Sequence, residues 1–227
     1  MDLYSLIIEN KLVLELIYAL AISLICGVIV VRTDKFFRLS MHQGIRYLRN
    51  AFLFYGIAFI ARYIFGVFSD LNLDFIYIAK VAFEYFLVMA GFFLLYSLMW
   101  RKFESSKEMP FSSLFNAKIA VFHAMALIIA VMDTLWGTYN FLFISQIVIF
   151  FYASVISFIN YKTNGRKHKF SKFYFIAMLL SFGAWILNFL AETYFNWDHG
   201  LLIIVGIADV IFFLLFLYGV IKFTNTK

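Results

Sequence analysis

Six ionisable side chains interrupt otherwise apolar stretches of this sequence: Glu15, Arg62, Lys80, Glu84, Glu192 and Asp209. A charge at the centre of a membrane-crossing helix costs about 2.5–3.5 kcal/mol on insertion scales, so charges kept there mark places that hold an ion, a proton or a polar ligand. Arg62 and Lys80 stand against Glu15, Glu84, Glu192 and Asp209, which leaves two bases facing four acids. At least one carboxylate therefore needs a proton, a cation or water. The neutral Tyr77, Gln146 and Asn188 would add hydrogen-bonding groups, and His123 falls near mid-span. A catalytic zinc needs three protein ligands. His42, His123, His168 and His199 are scattered, and Cys26 lies at the inner end of the first apolar run, so no metal site and no cofactor are expected.

The spacing predicts that these groups meet. Taking a rise of about 1.5 Å per residue, Arg62 lies about 10 Å from the outer end of its helix, Lys80 about 9 Å, Glu84 about 15 Å, and Asn188 and Asp209 about 13 Å. Glu15 and Glu192 lie nearer that boundary. Tyr77, Lys80, Glu84 and Gly91 share one helical face, as do Ser181, Trp185, Asn188 and Glu192. Tyr55 pairs in phase with Arg62, and Gly206 with Asp209. The expectation is an outward-opening pocket between the second, third, sixth and seventh helices, lined by Arg62, Tyr77, Lys80, Glu84, Gln146, Asn188, Glu192 and Asp209 and floored near His123.

Composition dictates what positions them. Of 227 residues, 64% are hydrophobic and 14% charged, whereas a water-soluble domain is about half apolar and a quarter charged. This excludes an ordinary soluble globule, a disordered tail and a disulfide scaffold. Apolar runs near 12–31, 50–68, 75–100, 117–135, 139–160, 173–195 and 201–223 predict one all-α membrane domain of seven spans over residues 1–227. The first run has Asp2 and Glu9 on its flank, where a secretory signal would be basic, so it is expected to remain in the mature protein.

Basic residues set the orientation. Arg32, Lys35, Arg38, Arg46 and Arg49 follow span one, Arg101, Lys102, Lys107 and Lys118 surround the third connection, and Lys162, Arg166, Lys167, Lys169 and Lys172 the fifth. Asp2, Glu9, Asp70, Asp74, Asp133 and Asp198 fall on the opposite side. The positive-inside rule then puts the N-terminus outside and the C-terminus in the cytoplasm, in the cell membrane. The basic loops would face anionic lipids, which accounts for a pI near 9.3 without nucleic acid. Thr33–Arg49, with Phe36, Phe37, Leu39, Ile45 and Leu48 among its charges, is read as a short interfacial helix or a docking surface for a cytoplasmic partner.

In topology alone, seven spans with an outside N-terminus resemble the microbial rhodopsins and the G-protein-coupled receptors. No motif extends the resemblance: span seven has no lysine before Lys222 to carry retinal, and Met99-Trp100-Arg101 lacks an acid before the arginine. Gly206-Ile207-Ala208-Asp209 departs from the Gly-x-Gly-Asp of intramembrane aspartyl proteases, and the residues point away from an enzyme. Phe92-Phe93-Leu94-Leu95 with Lys102-Phe103 recurs as Phe212-Phe213-Leu214-Leu215 with Lys222-Phe223, the kind of parallel repeat found in seven-span sugar carriers. Their Pro-Gln signature is missing, and the single proline, Pro110, lies in a loop.

The function this predicts is a binding or sensing module for a small polar or cationic ligand from outside, reporting to a cytoplasmic or membrane protein partner. The alternatives are a proton- or cation-coupled carrier of a small solute, and a structural membrane subunit whose charges only lock the bundle.

Overall fold

Backbone polar groups in lipid must be satisfied within the segment, which selects helices, and every regular element described in a computed structural model of the chain is a helix. The structure describes residues 11–40, 43–68, 73–103, 117–163, 169–195 and 199–225. Seven helices result: α1 Lys11–Ser40, α2 Gln43–Phe68, α3 Leu73–Phe103, α4 Ala117–Trp136, α5 Asn140–Thr163, α6 Lys169–Phe195 and α7 His199–Asn225. All but α2 hold a stretch long and apolar enough to cross a membrane. The chain is a helical, multi-pass membrane protein.

Six helices close a ring. α1 packs on α2, α2 on α3, α3 on α5, α5 on α6, α6 on α7, and α7 returns to α1. α4 stands outside it, against α3 and α5, with most of its side chains exposed. Small residues bring α1 and α2 close: a Cβ on Gly56 would lie 3.3 Å from that of Cys26. Aromatic rings fill the middle. Phe52 of α2 meets Phe216 of α7 at 4.9 Å, Tyr55 meets Phe213 at 5.4 Å, and Phe150 of α5 reaches both Phe212 and Trp185. Most of these pairs are edge-to-face, the arrangement that ring quadrupoles favour.

One expectation changes. Thr33–Arg49 does not form a separate interfacial helix, because α1 runs on to Ser40 and α2 begins at Gln43. Of the charges that suggested a break, the acid is paired: Asp34 accepts from Arg38 of its own helix at 3.0 Å and from Arg49 across the hairpin. Phe36 is buried, and Thr33 returns its hydroxyl to the Ile29 carbonyl at 2.6 Å. The extension is thus packed and polar-satisfied, and the helix continues. His42, Pro110, His168, the side chains of Glu15 and His199, and most of the charges used to orient the chain (Asp2, Glu9, Asp70, Asp74 and Asp198, with the basic side chains at 101–107 and 166–169) lie outside the described residues.

Candidate functional site

The turn between α4 and α5 is the most densely hydrogen-bonded part of the site. Gly137 adopts a φ of 65°, a conformation that costs an L-residue about 1–2 kcal/mol. Its amide donates to the Thr134 carbonyl at 3.3 Å while the Thr138 amide donates to the Asp133 carbonyl at 3.0 Å, which closes α4 on the glycine. The buried Asp133 carboxylate then reaches forward. It accepts from the Thr138 hydroxyl at 3.0 Å, the Phe141 amide at 3.0 Å and the Leu142 amide at 2.7 Å. Those amides belong to the first turn of α5, where four N–H groups have no partner within the helix. One residue thus helps close a helix through its carbonyl and caps the next through its carboxylate.

Lys80 of α3 docks on this turn. Its ammonium donates to the Thr138 carbonyl at 3.0 Å, lies 3.5 Å from the Asp133 carbonyl, and sits 4.2 Å from the centre of the Tyr139 ring. Carbonyls at a helix C-terminus carry partial negative charge, so a cation is stabilised there. One turn further along α3 lies Glu84, 0% exposed, with Oε1 3.8 Å from the same ammonium. Neither oxygen of Glu84 accepts a hydrogen bond. Lys80 pairs its charge with Glu84 at 3.8 Å while two of its three N–H donors go to carbonyls. Glu84 is therefore a buried group whose acceptor capacity no donor at hydrogen-bond distance fills.

Further groups converge on the turn. The Tyr139 hydroxyl lies within electrostatic range of Glu84, Arg62, Glu192 and Asp133, which come from α3, α2, α6 and α4. Lys80 acts electrostatically on Glu192 as well. Arg62 is exposed, with its guanidinium carbon 5.5 Å from the Phe83 ring centre. It also acts on a second polar pair, in which the Tyr18 hydroxyl of α1 donates to Asp209 Oδ2 of α7 at 2.9 Å.

The structure brings Arg62, Lys80, Glu84 and Glu192 around the α4–α5 turn and sets Asp209 beside Tyr18. Gln146 is buried on α5 against α3, its amide nitrogen 3.4 Å from the Leu87 carbonyl and its Oε1 without a donor. Asn188 donates to the Ala184 carbonyl of its own helix at 3.0 Å. Tyr77 is 54% exposed. His123 is not between the second, third, sixth and seventh helices: it lies on α4, its Nδ1 2.6 Å from the Tyr85 hydroxyl and its ring beside Phe54. Below the polar groups the ring is filled by Tyr55, Phe59, Phe212 and Phe213. No group of three or more metal-ligating side chains occurs among the described residues.

Sequence reasoning missed Tyr18, Thr138 and Tyr139, and counted Asp133 only as a loop acid. Tyr18 has a legible signal, a phenol in an otherwise aliphatic stretch at a depth comparable to Asp209. Asp133 had one in Asp133-Thr134-Leu135-Trp136-Gly137, an acid four residues before the glycine that ends its helix.

No family model matches the chain, and no solved structure matches it. It is 28% identical over 185 residues to an uncharacterized protein of Archaeoglobus fulgidus, and the similarity covers 77% of each chain.

Proposed function

We propose that this is a seven-span protein of the cell membrane, with its N-terminus outside, that binds a small cationic ligand beside Glu84 from the outer side and acts as a binding or sensing module. Glu84 carries the reading: a fully buried carboxylate whose two oxygens accept no hydrogen bond. The three donors on Asp133 satisfy that acid, so among the acids beside the turn it is Glu84 that keeps acceptors for a ligand, with Glu192 adding negative charge from α6. An organic ammonium or a monovalent metal ion supplies the close contacts this carboxylate lacks, adding to the charge of Lys80 at 3.8 Å, and Glu192 offsets the extra positive charge. Lys80, held by the Thr138 carbonyl, keeps the empty site tolerable.

A seventh crossing by α2 is supported by its length and place. It has 26 residues, packs between α1 and α3, and is joined to them by only residues 41–42 and 69–72. Short connections of this kind make neighbouring helices antiparallel and equally deep.

The test is thermal unfolding of the purified protein against sodium, potassium, choline, guanidinium and putrescine, with glutamate and glucose as comparisons. A ligand at about 100 times its Kd stabilises by about 2.7 kcal/mol. The proposal predicts stabilisation by at least one cation and by neither comparison solute. Stabilisation by none of the cations, or by glutamate alone, contradicts it. Uptake of the stabilising cation into proteoliposomes would convert the sensor reading into a carrier reading at the same residue.

A further inference from the structure

At the end of the bundle that carries the α4–α5 turn, a base on α2 and an acid on α7 face each other without touching. Phe52 meets Phe216 and Phe59 meets Phe213, the latter at 5.8 Å and edge to face, so α2 and α7 run antiparallel. Arg62, three residues after Phe59, and Asp209, four before Phe213, therefore both lie one turn beyond that ring pair. Tyr18 of α1 closes the side, its ring 5.7 Å from that of Phe59 and its hydroxyl 2.9 Å from Asp209 Oδ2. Arg62 is two residues from the exposed Ile60, and Asp209 two from the exposed Ile207 and Ile211. Two residues turn a helix by about 200°, so both charges point away from those outer faces and into the ring. Even so, Arg62 is exposed and Tyr18 and Asp209 are half-buried, so the space above the two aromatic rings is open to solvent. Among the described residues Arg62 forms no ion pair and rests on the Phe83 ring, while Asp209 accepts a hydrogen bond on one oxygen and leaves the other open. The two charges still feel each other electrostatically.

We propose that Arg62 and Asp209 hold a small zwitterion, its carboxylate on Arg62 and its ammonium on Asp209, at a second site apart from Glu84. A guanidinium presents paired N–H donors that match a carboxylate, and an ammonium supplies the donor that the open oxygen of Asp209 lacks. A simple cation serves Asp209 and leaves Arg62 unmatched; a simple anion does the reverse. A neutral amino acid serves both and brings no net charge into a low-dielectric site. Phe59 and Phe213 give its methylene groups an apolar floor. Glu84, Glu192 and Asp209 outnumber Lys80 and Arg62 here, so a solute of net negative charge such as glutamate is disfavoured.

The experiment is isothermal titration calorimetry of the purified protein with glycine, β-alanine and 4-aminobutyrate, which differ in the separation of their charges, on wild type, Glu84→Gln, Arg62→Gln and Asp209→Asn. In Glu84→Gln, where the cation site is silenced, each is compared with the amine and the acid that lack one charge: methylamine and acetate, ethylamine and propionate, propylamine and butyrate. At least one zwitterion is expected to bind wild type and Glu84→Gln alike, at least about tenfold more tightly than its amine or its acid. Its affinity should fall at least about tenfold in Arg62→Gln and in Asp209→Asn. Should Asp209→Asn fail to fold, Arg62→Gln, a change at an exposed side chain without an ion pair, decides alone. Binding of none of the three, equal affinity for a zwitterion and its amine, or affinity unchanged in Arg62→Gln overturns the proposal. Affinity lost in Glu84→Gln assigns the zwitterion to Glu84 and overturns the second site.

Discussion

The Asp133 carboxylate, in the last turn of α4, accepts a hydrogen bond from the Leu142 amide of α5 at 2.7 Å. A side chain from one helix thereby does for the next what a Ser or Asp at its own N-cap would do, since Tyr139 occupies that place. Asp133→Ala strips three donors of their acceptor in a buried position. It is expected to cost about 1–3 kcal/mol of stability, and Asp133→Asn less, because the amide oxygen still accepts. Unfolding in detergent by heat or denaturant measures both; equal, negligible changes would show that the cap contributes nothing.

Tyr18 and Asp209 form a pair across α1 and α7. Tyr18→Phe leaves the carboxylate without that donor and should destabilise by about 1–3 kcal/mol. Removing both polar groups, in Tyr18→Phe with Asp209→Leu, is expected to restore most of the loss, because the acceptor that lacked a donor is gone. Losses that simply add would contradict the pairing.

Gly91 makes room for Gln146. A Cβ at position 91 would stand 2.8 Å from Gln146 Oε1 and 3.4 Å from Ile149 Cγ2. Gly91→Ala should therefore push the Gln146 amide off the Leu87 carbonyl and cost about 1–3 kcal/mol. Adding Gln146→Ala removes the clash, and the double variant should unfold at or above the midpoint expected from summing the two single effects. A midpoint below that sum contradicts the contact.

Tyr85 and His123 tie the outer helix to the ring at 2.6 Å. Tyr85→Phe should cost about 0.5–1.5 kcal/mol overall and raise hydrogen exchange in α4 more than in α3, because the described residues of α4 pack mainly on α3 and α5 from outside the ring. Uniform protection of α4 after the substitution would place its attachment elsewhere.

Much of this architecture was readable from hydropathy. The boundaries of α4 and α7 fall within two residues of the predicted spans, because apolar runs end where lipid ends. α1 extends past the predicted end at Val31, since Arg32, Asp34 and Lys35 look like loop punctuation until Asp34 is seen to be paired. Lys80 and Glu84 were legible as an i, i+4 pair on one face. Which helices touch was not, because periodicity reports a face and never its neighbour: α4 lies outside the ring, and His123 goes with it. Nor was the role of Asp133, whose partners are backbone amides eight and nine residues on and leave no trace in side-chain pattern.

The most direct test is the thermal unfolding of wild type and Glu84→Gln, each with and without the cations named above. Two carbonyls still hold the Lys80 ammonium when its carboxylate partner is gone, so the account predicts that Glu84→Gln unfolds near the wild-type temperature and no longer responds to the cation that stabilises wild type. A variant that melts well below wild type, or that responds to the same cation as strongly, would show instead that Glu84 serves the packing of α3 and that the ligand, if any, binds elsewhere.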